Sequence, residues 1–230
     1  MKWQHWMIAC TALTLLAVGS APHSAQAKPK TPANEATAGA SAAIDAEDVA
    51  RIERYLMNIR TITSDFVQIA PDGNATSGKM FVKRPNKMRW VYDPPTPVLM
   101  VTRGNLLTYY DFELKQVSDV PLDSTLLSFF ASDDIKFGQT VKVHALEKDP
   151  GLLRVMLVQA DNPKLGLLTL EFTDAPLTLR NFVIKDAQGK VTSVSLTNTR
   201  FDEPLDDKIF EFIDPRVKGR QKHRSGTDAR

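Results

Sequence analysis

Residues 78–95 read GKMFVKRPNKMRWVYDPP, and the alternation within them decides how the rest of the chain is read. Successive side chains of a strand point to opposite faces. On a first strand Met80, Val82 and Arg84 therefore share one face, with Phe81 and Lys83 on the other. On a second, Met88, Trp90 and Tyr92 share a face, opposite Lys87, Arg89, Val91 and Asp93. The pattern predicts a hairpin with an apolar inner side and a basic outer side facing solvent. Arg84 falls on the inner side, and Pro85 ends its strand there, which puts the arginine at a rim. A guanidinium facing an apolar interior is costly unless it is paired. A rim carboxylate would serve. So would main-chain carbonyls at the C-terminal end of a short helix, and residues 124–131 form a candidate. In the second case Arg84 would be a latch holding an apolar helix over an apolar hollow.

Outward from this hairpin the period of two continues. It predicts strands at 63–70, 78–84, 87–93, 98–103, 106–111, 115–120, 140–147, 152–159, 165–173, 177–186 and 190–202. Turn-forming runs separate them, among them Pro71-Asp72-Gly73-Asn74, Arg103-Gly104-Asn105 and Asp149-Pro150-Gly151. Strands in series with short turns make an antiparallel meander, closed or partly closed as a barrel. Two segments break the pattern. Asp45 is placed to cap a helix, with Asp48 in a capping-box-like position. Val49, Ile52, Leu56 and Ile59 then recur at helical spacing. Further on, Asp123 and Ser124 are placed to cap Leu126, Leu127, Ser128, Phe129, Phe130 and Ala131. Both helices are apolar on one side and need a greasy partner. The economical arrangement is a curved sheet with both helices on its concave face.

The ends speak for export. Lys2 precedes an apolar run from Met7 to Val18, followed by Gly19, Pro22 and the small-residue pattern Ala25-Gln26-Ala27. These are the parts of a cleavable secretory signal, 1–27, and the run is short for a membrane span. Cys10, the chain's one cysteine, lies inside that run, too early to become a lipidated N-terminus. After cleavage near Ala27 no thiol remains, so neither a disulfide nor a thiolate metal site is available. Residues 28–43 read as a flexible leader, 44–217 as one domain, and 218–230 as a basic disordered tail. Of the 29 basic and 27 acidic side chains, Lys2, the six basic residues from Arg216 onward and Asp228 fall outside 28–215, which leaves 22 against 26 there. A mildly acidic domain is a poor partner for nucleic acid. The tail fits a solvated end or a weak contact with anionic lipid head groups.

Little here points to catalysis. Of four histidines only His144 lies in the domain. In Val141-Lys142-Val143-His144-Ala145 it alternates onto the side of Lys142, facing solvent. The adjacent carboxylates Asp133-Asp134, Asp206-Asp207 and Glu47-Asp48 sit at helix starts and turns, where acids cap backbone amides. No Gly-rich phosphate loop and no G-x-S-x-G elbow occurs. The residues suggest no enzyme, no cofactor and no metal site.

Phe66-x-Gln68, Gly78, Val82-Lys83-Arg84-Pro85-Asn86, Trp90, Pro94-Pro95, Gly104, Tyr109-Tyr110-Asp111 and Phe210-x-Phe212 follow one another in an order and spacing that resembles the LolA family. These are periplasmic carriers that move lipoproteins to the outer membrane. The likeness spans roughly residues 45–215. It implies an α+β fold: an incomplete antiparallel β-barrel, or half-barrel, with an α-helical lid over an apolar cavity. It also implies a lid-bonding role for Arg84. Met80, Val82, Met88, Trp90 and Tyr92 would line an acyl-binding cavity. Ile52, Leu56, Leu126, Leu127, Phe129 and Phe130 would face it from the lid. The implied partners are lipoprotein acyl chains, a Lol-type inner-membrane ABC transporter and an outer-membrane lipoprotein receptor, with the carrier a monomer. The alternatives are a periplasmic sensor of acyl chains, a shuttle for another lipid, an enzyme acting on lipids, which the shortage of His and Cys argues against, and a structural barrel with a filled core. Each buried methylene is worth about 0.8 kcal/mol, so a chain of roughly 16 carbons gains on the order of 12 kcal/mol on leaving water. Such cargo does not cross water unaided.

Overall fold

The computed structural model of the protein describes residues 45–214. The signal segment, the leader and the basic tail expected above lie outside these residues. Helix α1, Ala46–Asn58, opens where Asp45 accepts hydrogen bonds from the amides of Glu47 (2.9 Å) and Asp48 (3.4 Å). Asp48 does not complete a capping box. Its carboxylate is buried and bound to Lys148 Nζ (2.7 Å) and Arg51 Nη2 (3.0 Å). The apolar stripe buries Ile52 and Leu56, and Ile59 is buried at the C-cap.

Eleven strands follow: β1 (Thr61–Ile69), β2 (Ala75–Lys83), β3 (Lys87–Tyr92), β4 (Val98–Arg103), β5 (Leu106–Asp111), β6 (Gln116–Pro121), β7 (Val141–Asp149), β8 (Leu152–Gln159), β9 (Gly166–Thr173), β10 (Thr178–Asp186) and β11 (Val191–Phe201). They form one antiparallel sheet in the order β6-β5-β4-β3-β2-β1-β11-β10-β9-β8-β7. Each strand pairs with its sequence neighbour except at the centre, where β1 joins β11, and at the two edges, β6 and β7. The meander is therefore open. It is also curled. Trp90 on β3 and Phe182 on β10 are four strand spacings apart, about 19 Å in a flat sheet. Their ring centroids lie 6.0 Å apart. Bulges help the curl. One in β11 opposite Thr63–Asp65 carries Asn198 at φ 51°. Another places His144 as the extra residue of β7. His144 is exposed, as alternation predicts, but the bulge changes the phase, so Leu146 rather than Ala145 takes the next buried position.

The excursion from β6 to β7 differs from the single helix expected at 124–131. A 3₁₀ turn, Leu122–Ser124, gives way to Thr125 in an extended conformation, and helix α2 spans only Ser128–Ala131. Local hydroxyls compete for the helix carbonyls: Ser124 Oγ donates to Pro121 O, Thr125 Oγ1 to Leu122 O and Ser128 Oγ to Thr125 O. Asp123 and Ser124 therefore do not cap α2, whose N-cap is Leu127.

The convex face also departs from expectation. Lys83, Lys87 and Arg89 do not simply face water. The segment after β11 crosses over them as a strap with a 3₁₀ turn at Asp207–Phe210. Lys83 Nζ binds Asp207 (2.6 Å) and Leu205 O (2.9 Å), Lys87 binds Asp207 (2.9 Å), and Arg89 donates to Glu211 O (3.1 Å). The strap ends with Asp214 on Arg103 (3.3 Å) and Phe212 against Tyr110. It explains why Leu99 and Val101, on the outer side of β4, are buried.

Candidate functional site

Arg84 stands one residue past the end of β2, buried at 8% exposure. Its Nε donates to Phe130 O of α2 (3.1 Å), and its Nη1 to Leu56 O (2.5 Å) and Ile59 O (2.8 Å) at the end of α1. Of the two partner sets the sequence allows, the structure has the carbonyls, and they come from both helices. The last turn of α1 has no basic residue of its own, so Arg84 supplies the cation that the helix dipole favours there. Burial pushes the guanidinium down to about 10, with neighbouring Arg60 adding to the effect and Asp133 and Asp202 opposing it. It is still charged at neutral pH, without an ion pair among the described residues.

The inner wall is placed as alternation predicts. Met80, Val82 and Met88 are buried, Trp90 is 2% exposed, and Tyr92 is half-buried with its hydroxyl donating to Gln68 Oε1 (3.0 Å). From the helices, Ile52, Leu56, Leu126, Phe129 and Phe130 are buried, and Leu127 packs on them half-buried. A chain of rings links lid to wall: Phe130 lies 4.8 Å from Phe182, Phe182 lies 6.0 Å from Trp90, and Trp90 lies 4.8 Å from Phe66. The space expected behind Met80, Val82, Met88 and Trp90 is thus filled by the protein's own side chains. Open volume, about 450 Å³, lies beside α2 instead, bordered by Leu126, Phe129, Ile135, Val141, Leu157 and Leu168.

The two helices are fastened unequally. Asp48 with Lys148, and Arg51 with Asp174, bind the start of α1 to β7 and to the β9–β10 turn. Farther along, Tyr55 Oη accepts from Leu179 N (3.1 Å) and Glu53 from Phe137 N (2.7 Å). Besides Arg84, α2 has Asn86 N donating to Ala131 O (2.8 Å) and Gln159 Nε2 to Ser128 Oγ (3.2 Å).

Residues 57–213 match the family model described as outer membrane lipoprotein carrier protein LolA. The chain belongs to the LolA family. Proteins named outer-membrane lipoprotein carrier protein are similar to it in Pseudomonas syringae pv. tomato (29% identity, 75% of this chain and 86% of the relative) and in Azotobacter vinelandii (27%, 74% and 86%). A solved LolA superfamily protein from Nitrosomonas europaea aligns with TM-score 0.42 at 13% identity over 71% of this chain and 97% of its own, a likeness too loose to bear on function.

Reading this candidate site from sequence alone misses the α1 carbonyls and Phe182, and finds Phe66 only as part of the family motif, not as part of the wall. Phe66 and Phe182 each sit at a buried, inward position of their strand, so alternation contains the signal. It does not say that β1, β3 and β10 converge on one ring cluster.

Proposed function

We propose that this LolA-family chain is a periplasmic carrier that takes the acyl chains of lipoproteins released at the inner membrane and delivers them to the outer membrane. It is a binding protein rather than an enzyme. An ABC transporter of the Lol type would supply the energy for loading, and an outer-membrane receptor would take the cargo. The observation that carries this reading is Arg84: a buried charge held by three carbonyls of two helices, over a wall of apolar side chains. A charged hydrogen bond is worth about 1.5–3 kcal/mol, and burying the ion offsets much of that. Closed and open lids then lie within a few kcal/mol, a gap that cargo binding can tip. When α1 and α2 are displaced from Arg84, Met80, Val82, Met88, Trp90 and Tyr92 become the wall against which acyl chains pack. Methionines there accommodate chains of varied shape.

The test is a purified reconstitution with donor membranes, cargo lipoprotein and acceptor. Arg84→Leu is expected to fold and load cargo but to pass it on at least tenfold more slowly. Transfer at the wild-type rate would refute the latch. Mass spectrometry of what co-purifies from periplasm separates the classes of cargo: lipoproteins support this reading, while free lipids alone would replace it with another lipid shuttle.

A further inference from the structure

Among the described residues, three buried side-chain polar atoms lack a hydrogen-bond partner, and two of them lie on the inner face of the β2–β3 hairpin. These are Trp90 Nε1 on β3 and Thr76 Oγ1 on β2. Trp90 pairs across with Met80, and Thr76 is two residues before Gly78, which pairs with Tyr92. Thr76 stands about 13 Å from Met80 along the strand, too far for both groups to meet one ligand atom. The indole is the more constrained of the two, because a hydroxyl rotates and an indole N–H can only donate, in one direction. Trp90 is almost wholly buried. Its ring neighbours, Phe66 at 4.8 Å and Phe182 at 6.0 Å, offer apolar carbon and at most weak π acceptance. A buried donor left unmet is a standing cost, and such groups are rare enough that each calls for an explanation. The cover over this wall is the lid: Phe130 of α2 rests on Phe182, which rests on Trp90. Lifting α2 therefore begins to loosen the ring stack that holds the indole.

We propose that Trp90 Nε1 receives the carbonyl oxygen at the head of an acyl chain. This rests on the carrier reading and specifies it. An alkyl tail has no acceptor to offer. The ester or amide that joins the tail to its carrier molecule has one good carbonyl acceptor, and it enters the hollow with the chain. Trp90 is three residues from Lys87, the end of β3 nearest Arg84, so this oxygen would sit about 10 Å along the strand from that end. The wall would then read two features of cargo: apolar length, through the methionines and rings, and an acyl linkage, through one N–H. A carrier with this contact prefers acyl lipids over ethers or alkanes of equal length.

The protein purified from periplasm, labelled with ¹⁵N at indole nitrogens, is titrated with ethyl palmitate and with the ethyl ether of hexadecanol, both delivered from cyclodextrin. Trp3 and Trp6 lie within the expected signal segment, so Trp90 gives the one indole resonance of the exported protein. The ester is expected to move the Trp90 indole proton downfield and to bind roughly fivefold to tenfold more tightly than the ether. In Trp90→Phe the ratio of ester to ether affinity should shrink towards unity, whatever the change in either affinity alone. Equal affinities, or an indole resonance that the ester leaves where the ether does, would overturn the inference and leave the carrier reading standing. Binding of neither ligand would overturn both. The resonance in the unsubstituted protein decides between these outcomes even if Trp90→Phe folds poorly.

Discussion

Arg84 is buried without a carboxylate bonded to it, and its behaviour with pH follows from that. Its folded value, about 10, lies below the ordinary guanidinium range. Only above about pH 10 does the unfolded chain hold more protons than the folded one, so this group's contribution to stability rises with pH there and is flat below. The difference in denaturant midpoint between wild type and Arg84→Leu should therefore stay constant from pH 6 to 9. A slope in that window would mean that another group gates the latch. Gly78 shows a different constraint. A Cβ there would collide with the backbone oxygen of Val91 on the neighbouring strand and also crowd Phe66 Cζ at 2.9 Å. Gly78→Ala should cost at least about 2 kcal/mol of unfolding free energy, read by urea denaturation. The inward turn of Arg84 and the apolar character of Met80, Val82, Met88 and Trp90 are legible in sequence, since alternation alone sets them. Which carbonyls Arg84 meets is not, because Leu56, Ile59 and Phe130 are brought to it from 25 to 46 residues away.

Helices α1 and α2 are both lid elements, but their fastenings make different dynamics. Four groups along α1 bind β7, the β9–β10 turn, β10 and the backbone of Phe137 ahead of β7, while α2 has one turn of helix and few ties. Native-state hydrogen exchange should therefore find the amides of 128–132 opening at least tenfold faster than those of 50–56. Equal protection would mean that both helices lift together. The strap on the convex face has its own acid limit. Lys83 first, then Lys87, hold Asp207 down to about 2. A depressed carboxylate gives its stabilisation above the ordinary aspartate range and loses it as pH falls towards the depressed value. Between pH 4 and 2 the amides of 205–212 should lose protection, with little change from pH 5 to 8, and Asp207→Asn should abolish this acid dependence. Existence and type of nearly every element were readable from the sequence: all eleven strands end within three residues of their expected bounds. The lid segment was not, because Ser124, Thr125 and Ser128 redirect carbonyls that a periodicity argument assigns to a helix.

At the scale of the molecule, the carrier reading proposed above makes closure a competition between the protein's own side chains and acyl chains for one apolar wall. A ligand that binds only the folded state raises stability with its concentration, by about 2.7 kcal/mol at a hundredfold excess over Kd. Long-chain acyl ligands should therefore raise the thermal midpoint in a dose-dependent way. Chains of four carbons should leave it unchanged, since burial scales with methylenes. A long-chain ligand without effect would mean that the folded protein does not take acyl chains.

The amino-acid sequence by itself determined the meander, the inward residues of each strand, the cap of α1 and the resemblance to a carrier family. All of these follow from local periodicity, turn chemistry or the order of a motif. Only the tertiary structure decided that β6 and β7 are the edges of the open sheet, that a strap covers the basic outer face, and that side chains of the protein fill the space under the helices. It alone showed two polar atoms of the inner wall without partners. These are facts about which distant segments meet, and they depend on how far the sheet curls, a property summed over eleven strands that no single stretch encodes.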